Sequence, residues 1–329
     1  MSTAPTPVRW GVLGVTSYVA QRAVLPALRD SEAAELVAVA SRSHDAAHLA
    51  RAEYGAAAAY DGYEALIDDP SVEAVYIPLP NGLHREWTLR CAQAGKHVLC
   101  EKPLALTATE ASEMAAACAE AGVLLMEAYM TPFHPRHAEL VRVARSELGA
   151  LESAHAAFTF PLRDARNHRW DPHLGGGALL DVGVYCLAPL LEIAGDDPVE
   201  VGATARHTET GVDATTTGWL RFDSFLARFE CSFEAAEQQV IEVGGTEATV
   251  RATHIFTGMH DDVDLQVHRH GEAPELRRTA GADPYRLMVE HFAAAVRGAE
   301  PLRRGPEASV RVLRLIDVLR AGARDSGSA

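Results

Sequence analysis

The sequence predicts an α/β protein in two parts. A parallel-sheet domain covers residues 1–130, and a second α/β domain over 131–329 carries a large, open, mostly antiparallel sheet. Three observations carry this reading. Short, unalternating apolar runs separated by helical segments fill the first part, as buried parallel strands do. Period-two segments with no helix between them follow, the mark of antiparallel strands with one buried face. A glycine-bearing turn, GVLGVTS, joins the first strand to the first helix.

Composition narrows the function. A net charge of −15 argues against nucleic-acid or anionic-membrane partners, which require clustered positive surface. No apolar run approaches the length that spans a bilayer, and MSTAPTPVRW lacks the basic and apolar regions of a signal peptide. Five widely spaced cysteines without a C-x-x-C read as buried hydrophobes in a reducing cytoplasm.

Val8–Leu13 is the first strand. Gly11 and Gly14 permit a tight turn, and the helix behind it offers N–H groups to a pyrophosphate, with Thr16, Ser17 and Tyr18 lining the turn. Thr16 and Val19 stand where a complete G-x-G-x-x-G would carry glycine, so an ordinary βα turn also fits. The second strand, Glu35–Ala40, ends in Ser41-Arg42-Ser43. An acid at that place would hold a ribose 2′-hydroxyl; Ser41 and Arg42 suit a 2′-phosphate, which selects NADP, with NAD the other candidate. A helix near Gly62–Asp68 and a strand at Ala74–Ile77 lead to PLPNGLHREW, where Pro78, Leu79, Asn81 and His84 lie on a strand-end loop. His84 reads as a helix-start residue first, and as a ligand contact second.

The chain is organised around GKHVLCEKPLALT. His97–Cys100 is a short buried strand, and Glu101, Lys102 and Pro103 follow at its carboxyl end, where open α/β sheets bind ligands. A solvated ion pair is the plainer account of Glu101-Lys102 taken alone. A helix at Thr109–Ala121, capped by Thr107, and a strand at Val123–Met126 bring the chain to Glu127, Tyr129 and His134, which with Arg169 and Trp170 are the candidate substrate contacts.

In the second part a helix at His137–Ser146 precedes strands at Ser153–Phe160, Val199–Arg206, Thr215–Phe222, Leu226–Phe233 and Gln239–Val243. Between the first two lies DPHLGGGALLDVGVY. Asp181 and Tyr185, four apart, fall on one face of a helix running on from Ala178. Arg169 and Trp170 precede the glycines on a polar loop. The bulky alternation in Trp219–Phe222 and Phe229–Phe233 predicts self-association through the sheet, as a homodimer or homotetramer. The 15 histidines show no H-E-x-x-H, and Pro135 separates His134 from His137, so no metal is expected.

The GVLG turn, IPLPN with His84, GKHVLCEKP, EAY with His134-Pro135, and GGGALLDVGVY resemble the glucose-fructose oxidoreductase / inositol dehydrogenase-like (Gfo/Idh/MocA) family over nearly the whole chain. The nearest branches are the trans-dihydrodiol / D-xylose 1-dehydrogenases and the sugar 3-ketoreductases. The resemblance implies a Rossmann domain, an open-sheet α/β domain and nicotinamide chemistry on a sugar or cyclic polyol. It implies that Lys102, Asp181 and Tyr185 face substrate. Pro132 stands where many relatives carry an arginine. On this reading Tyr185 is the acid-base, and an ammonium such as Lys102 lowers a phenol pKa that is otherwise about 10. A nucleotide-sugar 3-ketoreductase and a non-catalytic cofactor-binding regulator are the alternatives.

Overall fold

The computed structural model describes residues 6–257 and 262–325. Two compact units emerge. The first gathers the chain up to Met130 together with Tyr285–Arg311; the second holds Thr131–Pro284 and the chain from Val312. The sequence drew one boundary at 130, and the return of Tyr285–Arg311 to the first unit is the difference. Its cause is local. Phe292 sits with its ring centroid 5.4 Å from that of Trp10, and both side chains are fully buried. Arg297 binds the Pro7 carbonyl at 2.7 Å and Glu73 at 2.8 Å.

The first unit is a six-stranded sheet: β1 (Val8–Leu13), β2 (Ala34–Ala40), β3 (Ala58–Tyr60), β4 (Ala74–Ile77), β5 (His97–Glu101) and β6 (Leu125–Ala128). All neighbours are parallel, in the order β3-β2-β1-β4-β5-β6. Four-residue β4 is buried at every position, as the unalternating sequence required. Helices α1 (Leu25–Asp30), α2 (His44–Tyr54), α3 (Tyr63–Ile67), α4 (His84–Gln93) and α5 (Ala108–Glu120) connect the strands. Pro26 lies in the first turn of α1, where its missing N–H costs nothing. The strand order reverses between β1 and β4. The crevice outside the carboxyl ends of such strands is where ligands bind.

After α6 (Pro135–Ser146) the second unit begins its sheet with β7 (Leu151–Thr159). Two helical pieces follow, α7 (Ala178–Asp181) and α8 (Gly183–Ala194). Then come β8 (Glu200–His207), β9 (Asp213–Arg221), β10 (Leu226–Ser232), β11 (Gln238–Gly245), β12 (Ala248–Thr253), β13 (Val263–Arg269) and β14 (Glu275–Thr279). Helices α9 (Pro284–Val296) and α10 (Pro306–Gly322) precede the two-residue strand β15 (Arg324–Asp325). Nine strands run β14-β13-β12-β11-β7-β10-β9-β8-β15, antiparallel except where β10 meets β7 and β15 meets β8.

Two expectations change here. The helix after Ala178 is broken at Val182 and bends by 47°, so Asp181 ends one piece and Tyr185 belongs to the next rather than sharing one continuous face. Gly183 sits at the break, where a Cβ would lie 2.8 Å from Leu179 Cδ1. The alternation of β9 and β10 also sorts differently from the premise of an apolar outer face. Leu220, Phe222, Phe229 and Cys231 are buried. The opposite register presents Arg228 and Glu230 together with Trp219 and Leu226, which are 43% and 57% exposed. No single described helix is long and apolar enough to cross a membrane.

Candidate active site

In the first unit four loops leave the carboxyl ends of β1, β2, β4 and β5. After β1, Gly14 adopts φ +71°, donates its N–H to Ala40 at 2.9 Å, and leaves no room for a side chain, since a Cβ would meet Leu79 Cδ2 at 2.6 Å. Gly11 lies within β1, where a Cβ would come 2.5 Å from Leu66; it is a packing glycine rather than a turn glycine. Thr16 and Tyr18 are exposed and Ser17 half-buried.

Past β2, Ser41 is buried and its Oγ accepts the Ser43 N–H at 3.1 Å, which shapes the turn that presents Arg42 to solvent. Burial pushes the Tyr63 phenol up, and the nearby Arg42 guanidinium opposes that shift. Beyond β4, Pro78 and Leu79 are buried and Asn81 half-buried. His84 opens α4 with no exposed surface. Its Nδ1 lies 2.9 Å from the Pro103 carbonyl and its Nε2 2.7 Å from that of Leu79. His84 therefore ties the β4 loop to the turn after β5 instead of presenting itself to a ligand. Burial pushes its pKa down, against the pull of the two carbonyls.

The turn after β5 is held by two buried carboxylates. Glu101 Oε1 accepts the Tyr76 hydroxyl at 2.6 Å and Oε2 the Lys102 N–H at 3.2 Å, and burial pushes its carboxyl up to about 7. Lys102, half-buried, precedes Pro103 through a cis peptide bond. Glu127 accepts the Leu104 N–H at 2.9 Å and the Ser309 hydroxyl at 2.7 Å, with Arg304 at 3.5 Å.

Three expected substrate contacts thus acquire other work. Glu127 is a 4%-exposed clamp on the Lys102 turn. Tyr129 is buried beneath the Arg304 guanidinium, 5.2 Å from its ring centroid. His134 is buried and accepts the Arg136 N–H at 3.1 Å, capping α6.

The second unit assembles its own constellation. Gly175 and Gly177 adopt φ +77° and +125°, and the loop folds back so that Gly176 and Gly177 donate to the carbonyls of Asp171 and Arg169 at 2.9 and 3.1 Å. A Cβ on Gly176 would come 2.4 Å from the Arg169 carbonyl oxygen. Arg169 Nε donates to Asp181 Oδ2 at 2.7 Å, with Asp181 almost wholly buried and Arg169 about one-third exposed. Trp170 meets Phe233 edge-on at 5.3 Å. Tyr185, 5% exposed, stands edge-on to Phe158 at 5.2 Å and beside Phe256 at 5.7 Å.

Sequence reasoning missed Asp213, which no local motif announces. It opens β9 and is buried; its Oδ2 accepts the Leu179 N–H at 2.7 Å and the Thr216 hydroxyl at 3.0 Å. A Cβ on Gly177 would fall 2.2 Å from its Oδ1. Asp213 thus caps α7, the four residues that carry Asp181, and burial pushes its pKa up.

Comparison with known proteins places this geometry. Residues 8–129 match an oxidoreductase family with an NAD-binding Rossmann fold, and residues 141–251 match the GFO/IDH/MocA C-terminal domain. A D-xylose 1-dehydrogenase (NADP(+)) of Haloferax volcanii is 40% identical over 97% of this chain and 98% of its own. A dTDP-3,4-didehydro-2,6-dideoxy-α-D-glucose 3-reductase of Actinomadura kijaniata is 34% identical over 97% of this chain and 96% of its own. The crystal structure of a 3-ketoreductase from the same organism, in complex with NADP and TDP-benzene, superposes with a TM-score of 0.92 at 34% identity, covering 97% of this chain and 98% of that one. With the parallel β3-β2-β1-β4-β5-β6 sheet and both domain matches in place, the chain belongs to the Gfo/Idh/MocA family of oxidoreductases.

Proposed function

We propose that the chain transfers a hydride between NADP(H) and a hydroxyl or carbonyl carbon of a sugar or sugar-like cyclic polyol. The observation that carries this is Lys102, held at the carboxyl end of β5 by a turn whose backbone is fixed by two buried carboxylates. Residues suited to the cofactor are present. The Gly14–Tyr18 turn suits the pyrophosphate, Ser41 and Arg42 the 2′-phosphate, and the Pro78–Asn81 loop with Glu101–Lys102 the nicotinamide end. Nicotinamide supplies the hydride chemistry. The protein manages the remaining proton on the substrate oxygen: Tyr185 gives or takes it, Lys102 polarises that oxygen, and Asp181 accepts from a substrate hydroxyl. Arg169 orients the Asp181 carboxylate through its Nε–Oδ2 hydrogen bond at 2.7 Å.

A nucleotide-sugar 3-ketoreductase is the second reading, favoured by the likeness to the TDP-benzene-bound ketoreductase. A panel of free aldoses, cyclic diols and dTDP-linked keto-sugars, followed by nicotinamide absorbance with NADP(H) and NAD(H), decides between the readings. Turnover of free sugars with NADP⁺ supports the first, exclusive turnover of nucleotide-linked ketones the second. Cofactor binding without any turnover would favour a regulator. Five buried, unpaired cysteines support a reducing, cytoplasmic setting. Trp219 and Leu226, 43% and 57% exposed on the second unit's sheet, support self-association there. A monomeric mass by light scattering at micromolar concentration would refute it.

A further inference from the structure

We propose that His44, His48 and Asp61 form a binding site for a divalent transition-metal cation, zinc(II) foremost. His44 and His48 are four residues apart on α2, so their rings lie on one face, with centroids 4.2 Å apart and planes tilted by 39°. Asp61, from the loop after β3, brings Oδ2 to 2.7 Å from His44 Nδ1. One ligand atom from each residue lies within 4.8 Å of the others. Zinc–nitrogen and zinc–oxygen bonds of about 2.0–2.2 Å set tetrahedral donors a little over 3 Å apart, which small side-chain rotations reach.

Two imidazoles and one carboxylate are a borderline-to-hard donor set that selects Zn²⁺, Ni²⁺ or Cu²⁺ over Mg²⁺ or Ca²⁺. All three side chains are exposed, which leaves a fourth position open to water. The site is pre-organised at both ends. Ser43 Oγ accepts the Ala46 N–H and caps the first turn of α2, and Gly62 with φ +141° turns the chain immediately after Asp61. The acidic chain, at −15, favours cation accumulation at its surface. A bound ion would staple α2 to the β3–α3 loop, and it takes no part in the hydride step.

The test is calorimetric titration of Zn²⁺ into the full chain, free of any affinity tag and stripped with chelator. We expect saturable binding at one site per chain and a rise in Tm with added Zn²⁺. His48→Ala and Asp61→Asn should each weaken that site by more than the about 10- to 100-fold that loss of a mere outer-shell partner costs. Neither should rise in Tm at the Zn²⁺ concentration that stabilises the parent, while both keep metal-free turnover. Absence of saturable binding in the parent chain, or binding that survives both substitutions, overturns the proposal.

Discussion

The Lys102 turn and the Asp181 helix are built on the same device and differ in where it comes from. In both, a buried carboxylate accepts a backbone N–H two residues from a proposed catalytic side chain: Glu127 takes that of Leu104, and Asp213 that of Leu179. Glu127 lies on β6, in register with Cys100 of β5, and Tyr76, which binds Glu101, lies on β4 opposite Leu99. Parallel register therefore delivers Glu127 and Tyr76 from the two strands flanking β5. The Asp181 helix is too short to hold itself. Arg169 reaches it from 12 residues before and Asp213 supports it from 34 residues after its contact at Leu179. The strand-end turn takes its clamping carboxylates from the sheet that carries it, with Ser309 bracing Glu127, whereas the glycine-loop site takes its support from a preceding loop and a following strand.

The largest expected effect tests whether each region carries chemistry. Tyr185→Phe should lower kcat by a factor of about 10² to 10⁴ with cofactor affinity nearly unchanged, as loss of a positioned acid-base does. Lys102→Met should cost at least as much. If the two act as one unit, the double variant falls well short of the product of the single losses. Near-normal turnover in Tyr185→Phe would remove the tyrosine from the proton path.

A second prediction probes the cost of embedding charge in the sheet. The Glu101 carboxyl keeps its proton in the folded chain up to about 7, against an ordinary value near 4.5. Between those values the unfolded chain has released its proton while the folded chain retains it, so the stability contributed is complete below 4.5 and lost as pH rises toward 7. That window is worth about 3 kcal/mol in order of magnitude. Glu101→Gln keeps an acceptor for Tyr76 without the charge. Its Tm should gain on the parent between pH 5 and pH 8; a gap independent of pH would show that Glu101 titrates normally. Glu73 runs the other way. Arg297 holds it at about 2, so its contribution disappears only in acid.

Legibility follows the same division. Brief apolar runs announced five of the six parallel strands, missing three-residue β3, and Glu101-Lys102-Pro103 stood out because strand ends allow charge where strand interiors forbid it. The period-two segments located β7 to β11 within one or two residues. The sequence concealed what depends on contacts far along the chain: the return of α9 onto Trp10, the parallel pairing of β10 with β7, the break at Val182, and Asp213. Motifs alone did not show what Glu127 and His134 hold: Glu127 takes the Leu104 N–H and the Ser309 hydroxyl, and His134 the Arg136 N–H.

On the cofactor side of the first unit, the absence of an acid at Ser41–Ser43 gives a narrower prediction. Arg42→Ala should weaken NADP(H) by about ten- to a hundredfold, the worth of one charge-assisted contact of roughly 1.5–3 kcal/mol. NAD(H) binding should scarcely move. Equal losses for both cofactors, measured by fluorescence titration, would mean that Arg42 stacks on adenine instead of reading the 2′-phosphate.

The smallest expected effect bears most directly on the comparison, because it asks whether remote support of Asp181 matters to chemistry or only to folding. Asp213→Ala leaves the Leu179 N–H and the Thr216 hydroxyl without their acceptor, a loss of about 1–3 kcal/mol in stability for buried donors. Both donors converge on Oδ2, so the amide oxygen of Asp213→Asn can take the same place and keep both bonds. Expected outcomes therefore separate the two variants. Asparagine should retain Tm and kcat, whereas alanine should lower Tm and also kcat as α7 shifts under Asp181. An alanine variant with depressed Tm but unchanged kcat, KM and pH profile, assayed well below its unfolding temperature, would reduce Asp213 to a helix cap. Asp181 would then keep its place without Asp213. If asparagine fails as badly as alanine, the negative charge itself is required, and the geometry of the two hydrogen bonds is not the source of the effect.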